Sequence, residues 1–177
     1  MKRQMLAAML ALGVTSLAIG CDDDDEPTGP VAEQFRATLN GTSERPTQRT
    51  TPATGTAELT LRRDTLRWTI NMTQLTNVTA GHIHVGGPEE AGGIILGLTG
   101  APGTFTNSQI SGLITRNTYT PPSAPNAGVT FDSLLILMRT NKSYVNLHTN
   151  NTANDPTNNS GPGDFPGGEI RGQVVKP

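Results

Sequence analysis

The sequence predicts an all-β domain, an antiparallel sandwich or barrel, with one short helix. Three observations lead to this fold class. Apolar and polar residues alternate with a period of two in several short segments, as they do in half-buried strands. Turn-forming residues separate these segments regularly, which is typical of antiparallel strands. No segment repeats with a period of about 20–50 residues, so a solenoid or propeller is not indicated.

Residues 1–20 have the features of a secretory signal peptide. Two basic residues precede an apolar run over residues 5–19, which is too short to span a bilayer comfortably. Cys21 follows directly after a glycine, so we expect a bacterial lipobox in which the thiol of Cys21 carries a lipid. Ala18 stands where such motifs most often have leucine, and the alternative is a plain signal peptide followed by an incidental cysteine.

Residues 21–30 read as an acidic tether that follows the lipidated Cys21. Their like charges repel one another, and proline and glycine keep them from folding. The folded domain is then expected over residues 31–177. Without the basic pair at the start and the acids at 22–26, the chain carries 11 basic and 10 acidic side chains, and aromatic residues make up only 4%. This balance argues against a nucleic-acid partner.

The first predicted strands build the core. Residues 33–39 alternate in character, and a polar loop over residues 42–52 follows. Residues 54–61 and 66–72 alternate on either side of a tight connection, so we expect them to form a hairpin. Trp68 lies on the largest apolar face of the chain, which makes it the expected centre of the core.

The second half of the chain supplies five more predicted strands and the helix. The strands cover residues 79–85, 94–98, 109–115, 144–149 and 169–175. The glycine-rich loop after the first of them lacks the lysine of a phosphate-binding loop, and no helix follows it.

Residues 130–139 fit either a buried strand or a helix. We favour a helix because Thr130 can cap its start, Asp132 lies in its first turn and Arg139 lies at its end. A helix would also place four apolar side chains on one face: Phe131, Leu134, Leu135 and Met138.

The candidate functional surface contains the only three histidines of the chain. His82 and His84 point to the same face of one strand, because they are two residues apart, and His148 lies on the polar face of another strand. If the aliphatic faces fill the core, the histidines share a surface with polar residues of two strands. The candidate binding face comprises Asn146, Glu169 and Arg171.

Two interpretations of the histidines stay open. Three imidazoles could hold a zinc or copper ion and leave one coordination position free. Alternatively, the rings could make structural hydrogen bonds to Glu169, Asn146 or the backbone. No serine or cysteine in the expected domain has the sequence context of a catalytic nucleophile, so the pattern favours binding and leaves catalysis open.

An ordered set of short motifs resembles the CHRD domain, the module named after chordin. The resemblance implies an immunoglobulin-like β-sandwich or barrel. In chordin such repeats belong to an extracellular binder of growth factors, and for bacterial members the resemblance implies no established activity. Gly81 departs from the family pattern, which often has alanine there. The matching stretches are Phe35-Arg-Ala-Thr-Leu-Asn-Gly41, Glu44-Arg-Pro46, Ala53-Thr-Gly-Thr-Ala57, Thr79-Ala-Gly-His-Ile-His-Val-Gly86, Tyr144-Val-Asn-Leu-His-Thr149 and Gly168-Glu-Ile-Arg-Gly-Gln-Val174.

The sequence thus predicts a lipid-anchored, extracytoplasmic binding module of the bacterial cell envelope. Its partner would be a protein or another envelope ligand, and its membrane contact would be the N-terminal lipid. The alternatives are a zinc or copper metalloprotein that uses His82, His84 and His148, and a structural module of the envelope.

Overall fold

The computed structural model describes residues 32–101, 103–123, 125–151 and 161–177. The predicted signal peptide, Cys21 and the acidic tether lie outside the described residues. A short 3-10 turn, Gly41–Ser43, follows the first strand, and the helix α1 spans Phe131–Arg139. The strands are β1 Glu33–Asn40, β2 Thr54–Arg62, β3 Thr65–Thr73, β4 Val78–Val85, β5 Ile94–Gly97, β6 Gly103–Phe105, β7 Gln109–Thr115, β8 Ser143–Thr149 and β9 Ile170–Gln173.

The strands form one curled sheet in which every pair of neighbours is antiparallel. Their order is β5-β4-β8-β9-β1-β2-β3-β7-β6. The predicted hairpin is β2–β3, and Arg63 in its turn adopts a positive φ of 55°. The strand β8 joins the two halves of the sheet, because it pairs with β4 on one side and β9 on the other. The predicted all-β class with one short helix is confirmed.

The apolar faces of the strands meet inside the curled sheet. Trp68 in β3 is only 2% exposed, as the sequence predicts for the centre of the core. Gly81 in β4 shows how closely two distant strands approach each other. A Cβ atom at Gly81 would lie 2.9 Å from Leu147 in β8 and 3.1 Å from Ile110 in β7. The glycine therefore lets β4 pack against β7 across the core, although the two strands are far apart in the sheet order.

Residues 130–139, whose sequence fits either a buried strand or a helix, contain the helix α1. The Thr130 side chain accepts a hydrogen bond from the backbone N–H of Ser133 at 3.1 Å, as an N-cap does. Asn141 just beyond the helix has a positive φ of 55°, which favours a stop there. The run of apolar residues is not a buried strand, because Ile136 within it is 57% exposed. Within the described ranges, no helix is long and apolar enough to cross a membrane.

Two details of the sheet differ from the sequence prediction. The strand β6 was not expected, because its three residues are all exposed and show no alternation. The last strand is shorter than the predicted 169–175. After Gln173 the chain keeps the same two neighbours in single contacts, since the Val174 N–H donates to the Ser143 carbonyl of β8 and Val175 pairs with Arg36 of β1.

Candidate metal centre

The register of β4 and β8 brings the three histidines together. His82 pairs with Asn146 and His84 with Tyr144, while His148 pairs with Ala80. Because paired residues of neighbouring strands point to the same face, all these side chains lie on the face opposite the core. The period-two pattern of each strand predicted this arrangement, and the clustering is confirmed.

The three imidazoles form a compact triangle. The ring centroid of His82 lies 4.8 Å from that of His148 and 5.5 Å from that of His84. The remaining pair, His84 and His148, is 5.8 Å apart. One ring nitrogen from each histidine lies within 4.8 Å of the corresponding nitrogens of the other two. Two nitrogens that bind one ion at about 2.0–2.1 Å are about 3.3 Å apart in a tetrahedral site. Inward shifts of the rings would therefore suffice to bind an ion.

Backbone carbonyls orient two of the rings. The Nδ1 atom of His84 lies 2.9 Å from the carbonyl oxygen of Gly92, and that of His148 lies 2.9 Å from the carbonyl oxygen of Pro166. A carbonyl oxygen can only accept, so Nδ1 carries the proton in both rings. In the neutral imidazoles the Nε2 atom then has a free lone pair. Histidines that ligate metals usually have such a carbonyl partner on the other nitrogen.

One nitrogen of each ring in the cluster has no hydrogen-bond partner among the described residues. These nitrogens are Nδ1 of His82, Nε2 of His84 and Nε2 of His148, and each is shielded from solvent. Buried polar atoms in proteins are nearly always hydrogen-bonded, so three unpartnered nitrogens in one place need an explanation. A cation shared by the three lone pairs supplies one.

The surroundings of the rings keep them neutral. Burial lowers the pKa of His82 to about 4, and the neighbouring rings of His148 and His84 add to this effect. Burial also lowers the pKa of His84 to about 4, against an opposing contribution from its bond to Gly92. The pKa of His148 is lowered as well, again mainly by burial. Neutral imidazoles at neutral pH are ready to bind a metal ion without first releasing a proton.

A stack of planar groups supports His84 from the side of β9. The Tyr144 ring lies parallel to the His84 ring, with centroids 5.1 Å apart and an interplanar angle of 9°. The guanidinium carbon of Arg171 lies 3.4 Å from the centre of the Tyr144 ring. Arg171 also donates from Nη2 to the carbonyl oxygen of Gly87 at 2.7 Å, so it fixes the loop that follows β4.

The three residues of the predicted binding face are buried. Asn146 is 4% exposed, Arg171 is 1% exposed and Glu169 is fully buried. The Glu169 carboxylate accepts hydrogen bonds from the hydroxyls of Thr51 and Thr149, both at 2.6 Å. These contacts hold loops against the sheet. The loops cover these residues, so a ligand could contact them only if the loops moved. Their role in ligand binding stays a prediction.

Glu44 is a buried charged residue that strand periodicity did not reveal. It lies in the loop after β1 and is only 2% exposed, and the Asn146 amide donates to its carboxylate at 3.4 Å. Burial raises the pKa of Glu44 to about 7, although Arg171 and Arg49 act against the rise. The sequence predicts a polar loop over residues 42–52, which contain Glu44. In the sequence, Glu44 is marked only by the Glu44-Arg-Pro46 motif, which is part of the resemblance to the CHRD domain.

The comparison with protein families agrees with the motifs. The CHRD domain family matches residues 35–155, which is more than half of the chain. The match ends before β9, so Arg171 and Glu169 lie beyond it. No curated protein matches the chain. Membership of this family suggests an extracellular, binding-type module. The chain belongs to the CHRD domain family.

Proposed function

We propose that this domain binds a divalent transition-metal ion, copper or zinc, through His82, His84 and His148. The observation that carries the proposal is the set of three shielded ring nitrogens without a hydrogen-bond partner among the described residues. Purely structural histidines would be expected to use both ring nitrogens. Here the carbonyl bonds of two rings occupy Nδ1 and leave Nε2 as a lone-pair donor.

The donor set favours certain metals. Three neutral imidazoles without a thiolate or carboxylate suit copper(II) and zinc, and disfavour calcium and magnesium, which prefer oxygen ligands. Among the described residues, these histidines are the one cluster of potential ligands. Copper(II) binds most tightly to a given nitrogen site among the divalent first-row metals, so we expect it to be preferred over zinc when both are present.

Metal titration of the purified domain tests the proposal. We expect one copper(II) or zinc ion per chain, and we expect His82→Ala, His84→Ala and His148→Ala each to weaken binding strongly. Glu58→Gln is the matched control, because Glu58 is an exposed potential ligand on β2, away from the cluster. Stoichiometric binding that survives in all three histidine variants would overturn the proposal.

We also propose that the chain is exported and anchored by a lipid on Cys21, which places the domain in the bacterial cell envelope near a protein or envelope partner. The support is the basic start, the short apolar run and the position of the single cysteine. Full-length protein should fractionate with membranes and incorporate labelled palmitate. Cys21→Ser should abolish that labelling, and unchanged labelling would refute the anchor.

A further inference from the structure

The histidine cluster is bordered by very different neighbours on its two sides. On one side, His82 pairs with Asn146 of β8, and Asn146 pairs with Arg171 of β9. Asn146 and Arg171 are both buried. Toward the sheet edge, His82 pairs with Gly97 of β5. Gly97 has no side chain, and a Cβ atom built there would meet nothing within 4 Å. The cluster is therefore bordered by buried polar side chains toward the middle of the sheet, and by a residue without a side chain toward β5.

An apolar pocket lies on the β5 side. His84 pairs with Ile94 of β5, so the two side chains share one face of the sheet. Both residues line a pocket of about 460 Å³, together with Pro122 and Pro125. Gly93 and the polar residues Ser123 and Asn126 form the rest of its wall. Ile94 is 39% exposed, so its side chain is available to a ligand in the pocket.

We propose that the ion held by the three histidines keeps a coordination position open toward β5, where it binds the carboxylate of a small organic acid whose apolar body lies in this pocket. The inference rests on the metal site proposed above. Three protein ligands leave a position for an exogenous ligand on zinc or copper. A cation favours an anionic head group, while Ile94 and the two prolines favour an apolar body.

The size and position of the pocket define the ligand further. A volume of about 460 Å³ has room for a single ring and also for larger apolar bodies, so it sets an upper limit on the size of the ligand. The pocket touches His84, so a ligand whose head reaches the ion can place its body against Ile94.

The test uses the cobalt(II)-loaded domain, because cobalt(II) accepts the same nitrogen ligands and its visible absorption reports changes in coordination. Acetate and benzoate serve as probes with the same head group and different bodies. We expect both to change the spectrum, and we expect benzoate to bind about tenfold more tightly because its ring is buried in the pocket.

Two variants separate the parts of the inference. Ile94→Ser should reduce the preference for benzoate, while acetate binding stays the same. Gly97→Leu should weaken both acids by placing a side chain on the β5 side next to His82, while the affinity for cobalt(II) is retained, because a Cβ atom at this position meets nothing within 4 Å.

The outcomes are distinguishable. If the domain binds cobalt(II) but neither acid alters its spectrum, the inference is overturned and the metal site stands. Equal affinities for acetate and benzoate would overturn the assignment of the pocket. If the domain binds no cobalt(II), copper(II) or zinc, the proposed function fails and the inference fails with it.

Discussion

Tyr144 and His84 both bond to Gly92 while their rings lie parallel to each other. The Gly92 N–H donates to the Tyr144 hydroxyl at 3.0 Å, and the Gly92 carbonyl accepts from His84 Nδ1 at 2.9 Å. The loop after β4 is thus held by a residue of β8 and by a candidate metal ligand. This relationship means that the orientation of His84 depends on Tyr144 through one backbone unit.

Tyr144→Phe keeps the stacked ring and removes the hydroxyl that binds Gly92. We expect a loss of about 1–2 kcal/mol in the free energy of unfolding, because the hydroxyl accepts from the Gly92 N–H and also donates to the Gly92 carbonyl at 3.3 Å. We also expect weaker metal binding, by less than the ~10–100-fold loss that follows removal of a direct outer-shell partner. Urea unfolding and competition with a chelator measure the two effects. Unchanged affinity would show that Gly92 is positioned without Tyr144.

The metal-free domain should lose stability in acid through its histidines. The unfolded chain takes up these protons near pH 6.5, whereas His82 and His84 in the folded state do so near pH 4. Between these values the unfolded state binds more protons, so stability falls as the pH drops from about 6.5 to 4.

His82→Gln removes one of these titrating groups. As the pH drops from about 6.5 to 4, the unfolding free energy of the parent should therefore fall more than that of the variant. Denaturant unfolding at several pH values measures it. A difference that is independent of pH would mean that His82 titrates normally and is not buried as the structure shows.

Glu44 should have the opposite pH dependence. Its pKa is about 7 in the folded state and 4.5 in the unfolded chain, so its contribution is fully present below pH 4.5 and is lost as the pH rises through 7. Glu44→Gln should therefore gain stability relative to the parent as the pH rises, by up to about 3 kcal/mol. Thermal or denaturant unfolding at pH 5 and pH 8 checks this, and a constant difference between the two pH values would contradict it.

Trp68→Ala should destabilise the domain by roughly 3–5 kcal/mol, because the ring is buried in the middle of the core. Trp68→Phe is the matched control. It should cost less, because the indole N–H has no hydrogen-bond partner among the described residues, and nothing polar is lost with it. Equilibrium unfolding in urea gives both values. A loss below about 1 kcal/mol for the alanine variant would place Trp68 outside the core.

The sequence was sufficient to predict the histidine cluster but not the groups that orient it. The period of two in β4 and β8 places His82, His84 and His148 on polar faces, and pairing of the two strands then brings them together. The rings are oriented by the backbone carbonyls of Gly92 and Pro166. Every residue has a backbone carbonyl. No side-chain pattern can therefore indicate them.

Burial of the polar face was also beyond the sequence prediction. Asn146 and Arg171 alternate with apolar residues in the same way as exposed strand residues, so periodicity alone assigns them to a surface. They are buried because irregular loops fold over this face, as the contact between Glu44 and Asn146 shows. Loop conformation depends on contacts between distant parts of the chain, which a local pattern does not contain.

The pairing of β4 with β8 also sets an order of events for a nascent chain. His148 reaches His82 and His84 only after these two strands have joined, so an unfolded chain offers just the close pair of imidazoles on β4. A chain that crosses a membrane unfolded would thus carry no tightly held ion with it. If the domain binds the ion proposed above, the chain would acquire it after folding, from the supply at its destination.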